Sequence, residues 1–344
     1  LVRVEDGLGR ITLNRPRAIN ALDHGMVRAI GEALTAWETD ERVDTIVLDG
    51  SGERGLCAGG DIRSIYDDTR TGGTSSLAFW RDEYQLDAYI ARYPKPYVAL
   101  MDGLVMGGGI GISAHGSIRI VTERTRIGMP EVGIGFTPDV GNSYLLSLAP
   151  GELGTHAALT AGTLSGADAI HLGLADHYVP SSKLPALIVA LGTVPPDAAV
   201  ASVAETPPDS SLATRRDWID ACFSADTVEE IVARLRDADA GTEANSTAIK
   251  VLENSPTALK VTLRALRSAA NLPTLEAAID QEYRMAVAGL RSLDFAEGIR
   301  AQLIDKDRNP RWSPGSLEQV GDTLVDRFFA VPEGGDLGLA PAVV

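Results

Sequence analysis

A change of period constrains this chain more than any other feature. Up to about residue 200, short apolar runs alternate with stretches of helical spacing; beyond it only helical spacing remains. Residues 45–48 (Thr-Ile-Val-Leu), 97–101 (Tyr-Val-Ala-Leu-Met) and 118–121 (Ile-Arg-Ile-Val) are strand-length apolar runs. Gly50 and Gly52 end the first, and Pro94-Lys95-Pro96 stiffens the approach to the second. Residues 10–14 alternate polar and apolar side chains, as a half-buried strand does. Asp23 stands where a helix N-cap belongs, and Met26, Val27, Ile30, Leu34 and Trp37 follow at helical spacing. Strands that alternate with helices predict an α/β layer structure. Pro195-Pro196 and Pro207-Pro208 bracket a connector, and residues 227–239, 256–270, 274–293 and 295–305 then read as helices. Pro256 after Ser255 fits the first position of one of them. The expected organisation is a core over 1–200, a helical region over 201–331 and a flexible tail over 332–344.

Composition excludes several classes. Lys and Arg total 31 against 47 Asp and Glu, a net charge of −16, which argues against a nucleic-acid or anionic-membrane partner. Cys57 and Cys222 cannot build a disulfide framework, and the five histidines are too scattered for metal-ligand spacing. No apolar run reaches the ~18–20 residues of a membrane span. The charged residues 1–10 carry no apolar leader, so a cytoplasmic location is expected.

Two glycine-rich segments carry the first chemical signal. Residues 57–62 read Cys-Ala-Gly-Gly-Asp-Ile, and residues 106–113 read Met-Gly-Gly-Gly-Ile-Gly-Ile-Ser. Glycine lets backbone approach a ligand, and a glycine run that opens a helix aims free N–H groups at an anion. Two such segments that converge would supply one N–H each to an oxyanion hole. Tight turns and close helix–sheet contacts need the same composition. The second run lacks the G-x-G-x-x-G spacing of a dinucleotide loop, and no Gly-Lys-Ser/Thr makes a P-loop. Glu131 follows Met129-Pro130, and Asp139 follows Pro138 eight residues on, both among apolar neighbours. Such carboxyls have raised pKa values and can serve as acid, base or nucleophile. A loop cap or a surface charge is the plainer role. Glu83, on a charged helix, stands out only through this company.

Taken together, these residues resemble the crotonase (enoyl-CoA hydratase/isomerase) superfamily. Asn14-Arg15-Pro16 with Asn20-Ala21-Leu22, then Ala58-Gly59-Gly60-Asp61, Gly107-Gly108-Gly109 and Met129-Pro130-Glu131 come in the family's order. The resemblance implies a crotonase-like spiral core of ββα repeats with a C-terminal helical region. It also implies an acyl-CoA ligand, a possible trimer or hexamer, and no cofactor, coenzyme A being part of the substrate. By similarity the N–H groups of Gly60 and Gly108 hold the thioester oxygen and Glu131 is the catalytic acid. Asp61 and Ile62, beside the first glycine pair, are substrate-binding candidates, as are Glu83 for an acyl hydroxyl and Arg17 for a coenzyme A phosphate. Lys260 and Lys306 are weaker phosphate candidates.

Within the superfamily the pattern narrows. Hydratases carry a first catalytic Glu where this chain has Gly111, and usually Gly where it has Asp139. Residues 136–141 (Phe-Thr-Pro-Asp-Val-Gly) resemble the Phe-Pro-Asp-Val-Gly stretch of the 3-hydroxyisobutyryl-CoA hydrolase branch. So do residues 79–84, 255–260, 294–298 and 305–307. Thr137 and Asn142 depart from that branch, where a bulky residue and a Gly are usual. The resemblance therefore implies hydrolysis of a short 3-hydroxyacyl-CoA, with valine breakdown as its setting. The alternatives are an enoyl-CoA hydratase or isomerase of the same superfamily and a non-catalytic acyl-CoA-binding protein. A nucleophilic Cys57 is a further possibility, with a buried structural thiol as its plainer reading, and His115 reads as a packed or capping residue.

Overall fold

The computed structural model describes residues 1–71, 74–238 and 242–339. The chain forms two compact units that interleave along it. The first comprises Leu1–Gly60, Asp82–Gly128 and Thr163–Ala213; the second comprises Asp61–Arg81, Met129–Gly162 and Thr214–Val344.

The first unit holds two sheets. Strands β1 (Val2–Glu5), β2 (Leu8–Leu13), β3 (Thr45–Gly50), β4 (Tyr97–Met101), β6 (Ile118–Val121) and β9 (His177–Tyr178) form the larger, in the order β1-β2-β3-β4-β6-β9. Only β1 is antiparallel to its neighbour. Strands β5 (Leu104–Met106), β7 (Arg126–Gly128) and β8 (Leu164–Ser165) form the smaller. Three successive turns repeat one plan: a strand in the larger sheet, then a shorter one beside the smaller sheet. The pairs are β3 with a parallel bridge at Cys57↔Val105, β4 with β5, and β6 with β7. This is the spiral of ββα repeats expected from the sequence.

All five residues of β4 are buried, because parallel strands between layers are covered on both faces. One face packs Val47, Val98, Leu100 and Ile120 against helices Leu184–Leu191 and Pro196–Val203 through Leu187, Leu191 and Val200. Helix His24–Glu38 begins as expected, with the Asp23 carboxylate accepting from Met26 N at 2.9 Å. Trp37 of that helix lies so close to β2 that a Cβ on Gly9 would sit 2.6 Å from its ring.

The second unit is helical. Helix Pro256–Ala269 starts on the Ser255 cap with Pro256 in its first turn. With helices Leu275–Leu290 and Asp322–Phe329 it builds a core of Val261, Ala265, Met285, Val325 and Phe328. Helix Ser211–Phe223, which runs across the division and lacks a clear apolar stripe, and helix Thr242–Glu253 were not among the expected helices. Helix Leu293–Ile299 is shorter than its expected span because a π-turn at Arg300–Ile304 follows it. In the tail, Arg284 donates to both carboxylate oxygens of Asp336, at 2.7 and 2.6 Å. Residues 340–344, the end of the expected flexible tail, and Asp239, at the end of an expected helix, lie outside the described residues.

Candidate active site

In the first unit, the N-terminal signature and the two glycine segments form one backbone lattice. Asn20 is fully buried in a left-handed conformation, and its amide donates to Ser51 O at 3.0 Å and Gly55 O at 3.2 Å. Leu22 N donates to Gly59 O at 2.8 Å, and Leu22 bridges Gly60. Cys57 N donates to Leu104 O, and Met106 N donates back to Cys57 O. The segments therefore converge: a Cβ on Gly59 would lie 3.1 Å from Met106 O and 3.7 Å from Gly107 Cα. Gly107 has positive φ and caps helix Gly108–Ala114, whose first N–H groups have no acceptor within the helix. A Cβ on Gly109 would strike Cys57 Cβ at 2.7 Å. These glycines thus serve close packing as well as any ligand.

Glu83 lies on helix Ser75–Ala91 and is 2% exposed. Its Oε1 occupies space that a Cβ on Gly108 would need, 2.3 Å away. Glu83 therefore does not lie on a solvated helix face. Arg17 sits exposed in the turn Pro16–Ala18, and its carbonyl accepts from Arg54 at 2.6 Å.

The second unit carries the acids. Glu131 opens the 3-10 turn Glu131–Ile134 and is 8% exposed. Burial first, and then the charge of Asp139, raises its pKa well above the usual carboxylate range. Its Oε2 has no hydrogen-bond partner among the described residues. Asp139 is 6% exposed, so neither acid is on a solvated face. Asp61 and Ile62, at the start of helix Ile62–Thr71, are half-buried.

The sequence blocks noted beyond Glu131 pack around its turn. Ser255 N donates to Val132 O at 3.1 Å, and the Ser255 hydroxyl donates to Asp294 at 2.6 Å. Gly298 passes so close that a Cβ there would lie 2.3 Å from Ile134 O. Phe136 stacks on Trp80 at 5.2 Å and on Phe295 at 4.7 Å.

Glu282 escaped the sequence reading. It is fully buried on helix Leu275–Leu290 and accepts from Gly141 N at 2.6 Å and Ser143 N at 2.8 Å. Burial and, to a lesser extent, the Asp139 charge raise its carboxyl pKa, while the Ser143 and Gly141 donors favour the ionised form and pull it back down. A signal was present: position 282 falls on the stripe of Ala278, Ile279 and Ala286, where an unpaired acid has no place.

The raised Glu131 carboxyl predicts a pH effect on stability. Above about pH 4.5 the folded state still holds a proton on Glu131 that the unfolded chain has released. Its contribution is complete at low pH and is lost as pH rises through the folded value. Urea unfolding of Glu131→Gln should show a shallower decline with rising pH than wild type; an unchanged slope would remove Glu131 from the account.

Burial pushes the Cys57 thiol up to about 12, and its sulfur lies 3.3 Å from Asn20 O, which fits a structural thiol. Lys260 is engaged by Glu229 at 2.5 Å and Val320 O at 2.9 Å. Lys306 is exposed, and His115 ends helix Gly108–Ala114.

The Enoyl-CoA hydratase/isomerase family profile matches residues 8–329. The mitochondrial 3-hydroxyisobutyryl-CoA hydrolase of Gallus gallus is 42% identical over 98% of this chain and 90% of its own length. The Homo sapiens protein of the same name is 40% identical over 96% and 88%. Among solved structures, a carnitinyl-CoA dehydratase from Mycobacterium thermoresistibile is 52% identical, with TM-score 0.94 over 97% of both chains. An enoyl-CoA hydratase from Rhodobacter sphaeroides is 41% identical, with TM-score 0.90 over 97% of both. The expected cytoplasmic location is corrected by the curated relatives, which are named as mitochondrial. With the ββα spiral, the profile over residues 8–329 and full-length relatives above 40% identity, the chain belongs to the enoyl-CoA hydratase/isomerase family of the crotonase superfamily.

Proposed function

We propose that this chain hydrolyses short 3-hydroxyacyl-CoA thioesters, with 3-hydroxyisobutyryl-CoA the first candidate, to the free acid and coenzyme A. The observation that carries the reading is full-length identity of 40–42% to curated relatives named for that reaction. The chemistry of the retained residues supports it. The N–H groups of Gly60 and Gly108 polarise the thioester carbonyl and take the charge that develops on its oxygen. Glu131 attacks the carbonyl carbon, the C–S bond breaks and the thiol leaves; water then opens the mixed anhydride. In the other route Glu131 takes a proton from the water that attacks directly. Asp139 is the second acid, and its charge, after burial, favours the protonated form of Glu131. Glu83 contacts the acyl hydroxyl, Arg17 a phosphate of coenzyme A, and Asp61 and Ile62 the acyl chain.

A hydratase or dehydratase reading is favoured by the two solved relatives at 52% and 41% identity, a dehydratase and a hydratase. Gly111 speaks against it, because water addition to an enoyl-CoA commonly uses two Glu side chains and this position offers none. Thiol release from 3-hydroxyisobutyryl-CoA and 3-hydroxypropionyl-CoA, read with a thiol-reactive dye, separates the two. Rapid release supports the hydrolase. Loss of the enoyl absorbance of crotonyl-CoA without thiol release would sink it.

Cys57→Ala should keep turnover within about twofold of wild type, since a buried thiol held protonated is no nucleophile. A fall of a hundredfold in a folded variant would reinstate the thiol.

A further inference from the structure

The proposed reaction leaves Glu282, fully buried in the helical unit, without a task. Its two oxygens are saturated by one short segment. Oε2 accepts from Gly141 N at 2.6 Å; Oε1 accepts from Ser143 N at 2.8 Å and from the Ser143 hydroxyl at 2.5 Å. Gly141 is the N-cap of helix Asn142–Ser147 and has no side chain to cap it. Glu282 caps that helix from 141 residues away in sequence, where a carboxylate also meets the positive end of the helix dipole.

The segment needs holding. Asn142 N donates to Asp139 O at 2.9 Å, closing a turn whose central residues, Val140 and Gly141, have φ of +53° and +81°. Glycine accepts that conformation freely, but a β-branched side chain does not. Strain of this kind costs on the order of 1–3 kcal/mol and persists only where the surroundings over-determine it. Val140 is 1% exposed, so packing holds one side of the turn. The three donors to Glu282 hold the other, immediately after Asp139.

We propose that Glu282 is the positioning residue for Asp139: by accepting from Gly141 and Ser143 it fixes the strained turn, and with it the direction of the Asp139 carboxyl. The catalytic part rests on Asp139 acting in the proposed hydrolysis; the structural part does not. Glu282→Gln tests both. The amide keeps the volume but replaces one acceptor with a donor, so an N–H of Gly141 or Ser143 then faces an NH₂ group.

The full chain carrying E282Q is compared with wild type by hydrogen–deuterium exchange over residues 137–147 and by steady-state hydrolysis of 3-hydroxyisobutyryl-CoA. Exchange in that segment should quicken at least about tenfold. The kcat should fall about 10–100-fold, with KM within about threefold. A merely stabilising role would lower the unfolding midpoint and leave kcat of the folded enzyme unchanged. S143A removes one donor of three and should fall between wild type and E282Q in both readouts. It decides the question should E282Q not fold. Unchanged exchange over 137–147 in the folded variant overturns the proposal, and so does a wild-type kcat. If wild type releases no thiol from any hydroxyacyl-CoA, the hydrolase reading fails by itself, and the exchange result still decides whether Glu282 holds the turn.

Discussion

Glu131→Gln should lower hydroxyacyl-CoA turnover by about 10²–10⁴ while leaving thioester affinity within a few-fold. The substitution is nearly isosteric, and Glu131 Oε2 has no hydrogen-bond partner among the described residues, so little packing or bonding is lost with it. What disappears is the anion that either attacks the carbonyl or takes the proton from water. Affinity survives because the proposed binding contacts belong to other residues. The pH dependence has a definite sign. Burial and the Asp139 charge raise the Glu131 pKa, so its reactive ionised form accumulates only as pH climbs past the ordinary carboxylate range. The wild-type rate should therefore rise with pH through that raised value, and the residual rate of the variant should not. A variant that releases thiol at the wild-type rate would remove Glu131 from the mechanism.

Gly135→Ala should cost about 3–5 kcal/mol and lower the unfolding midpoint by on the order of 10 °C. Two independent reasons add. Gly135 has φ of +72°, where an L side chain is strained, and a Cβ there would lie 2.4 Å from Asp294 O and 2.5 Å from Asp294 C. Backbone atoms cannot swing aside as a side-chain tip can. Asp294 is itself tied by Ser255 and by Ser313 N at 2.7 Å, so the helix cannot easily retreat. The turn that carries Glu131 must then move, and turnover should fall with stability. Gly133→Ala is the control two residues earlier. Its Cβ would meet Asn254 Oδ1 at 3.3 Å and Ala161 Cβ at an ordinary 3.9 Å, and the cost should stay below about 1 kcal/mol. Equal midpoints for the two variants would show that the contact with Asp294 does not constrain the turn.

Much of this molecule was written locally. Strands β4 and β6 match their sequence runs residue for residue; β4, covered on both faces, is an uninterrupted apolar run, and β6 keeps one polar position, Arg119. Asp23 and Ser255 cap the helices that follow them, because the cap and the N–H it accepts are three residues apart. The glycine segments were visible for a similar reason: where backbone packs on backbone, as Gly109 on Cys57, only one residue type fits.

Tertiary structure decided what depends on partners far apart in sequence. Helix Asn142–Ser147 has no cap near it in the chain; its cap is Glu282, which sequence alone shows only as a charge on an apolar stripe. Lys260 is legible as a cation, but only the fold sets Glu229 and Val320 O against its ammonium. Glu83 was legible as an acid on a helix, but only the fold shows its carboxylate filling the space beside Gly108. In each case the residue type was legible but its environment was not. Burial, electrostatic coupling and hydrogen-bond supply are properties of neighbours in space, and a single sequence records only neighbours along the chain.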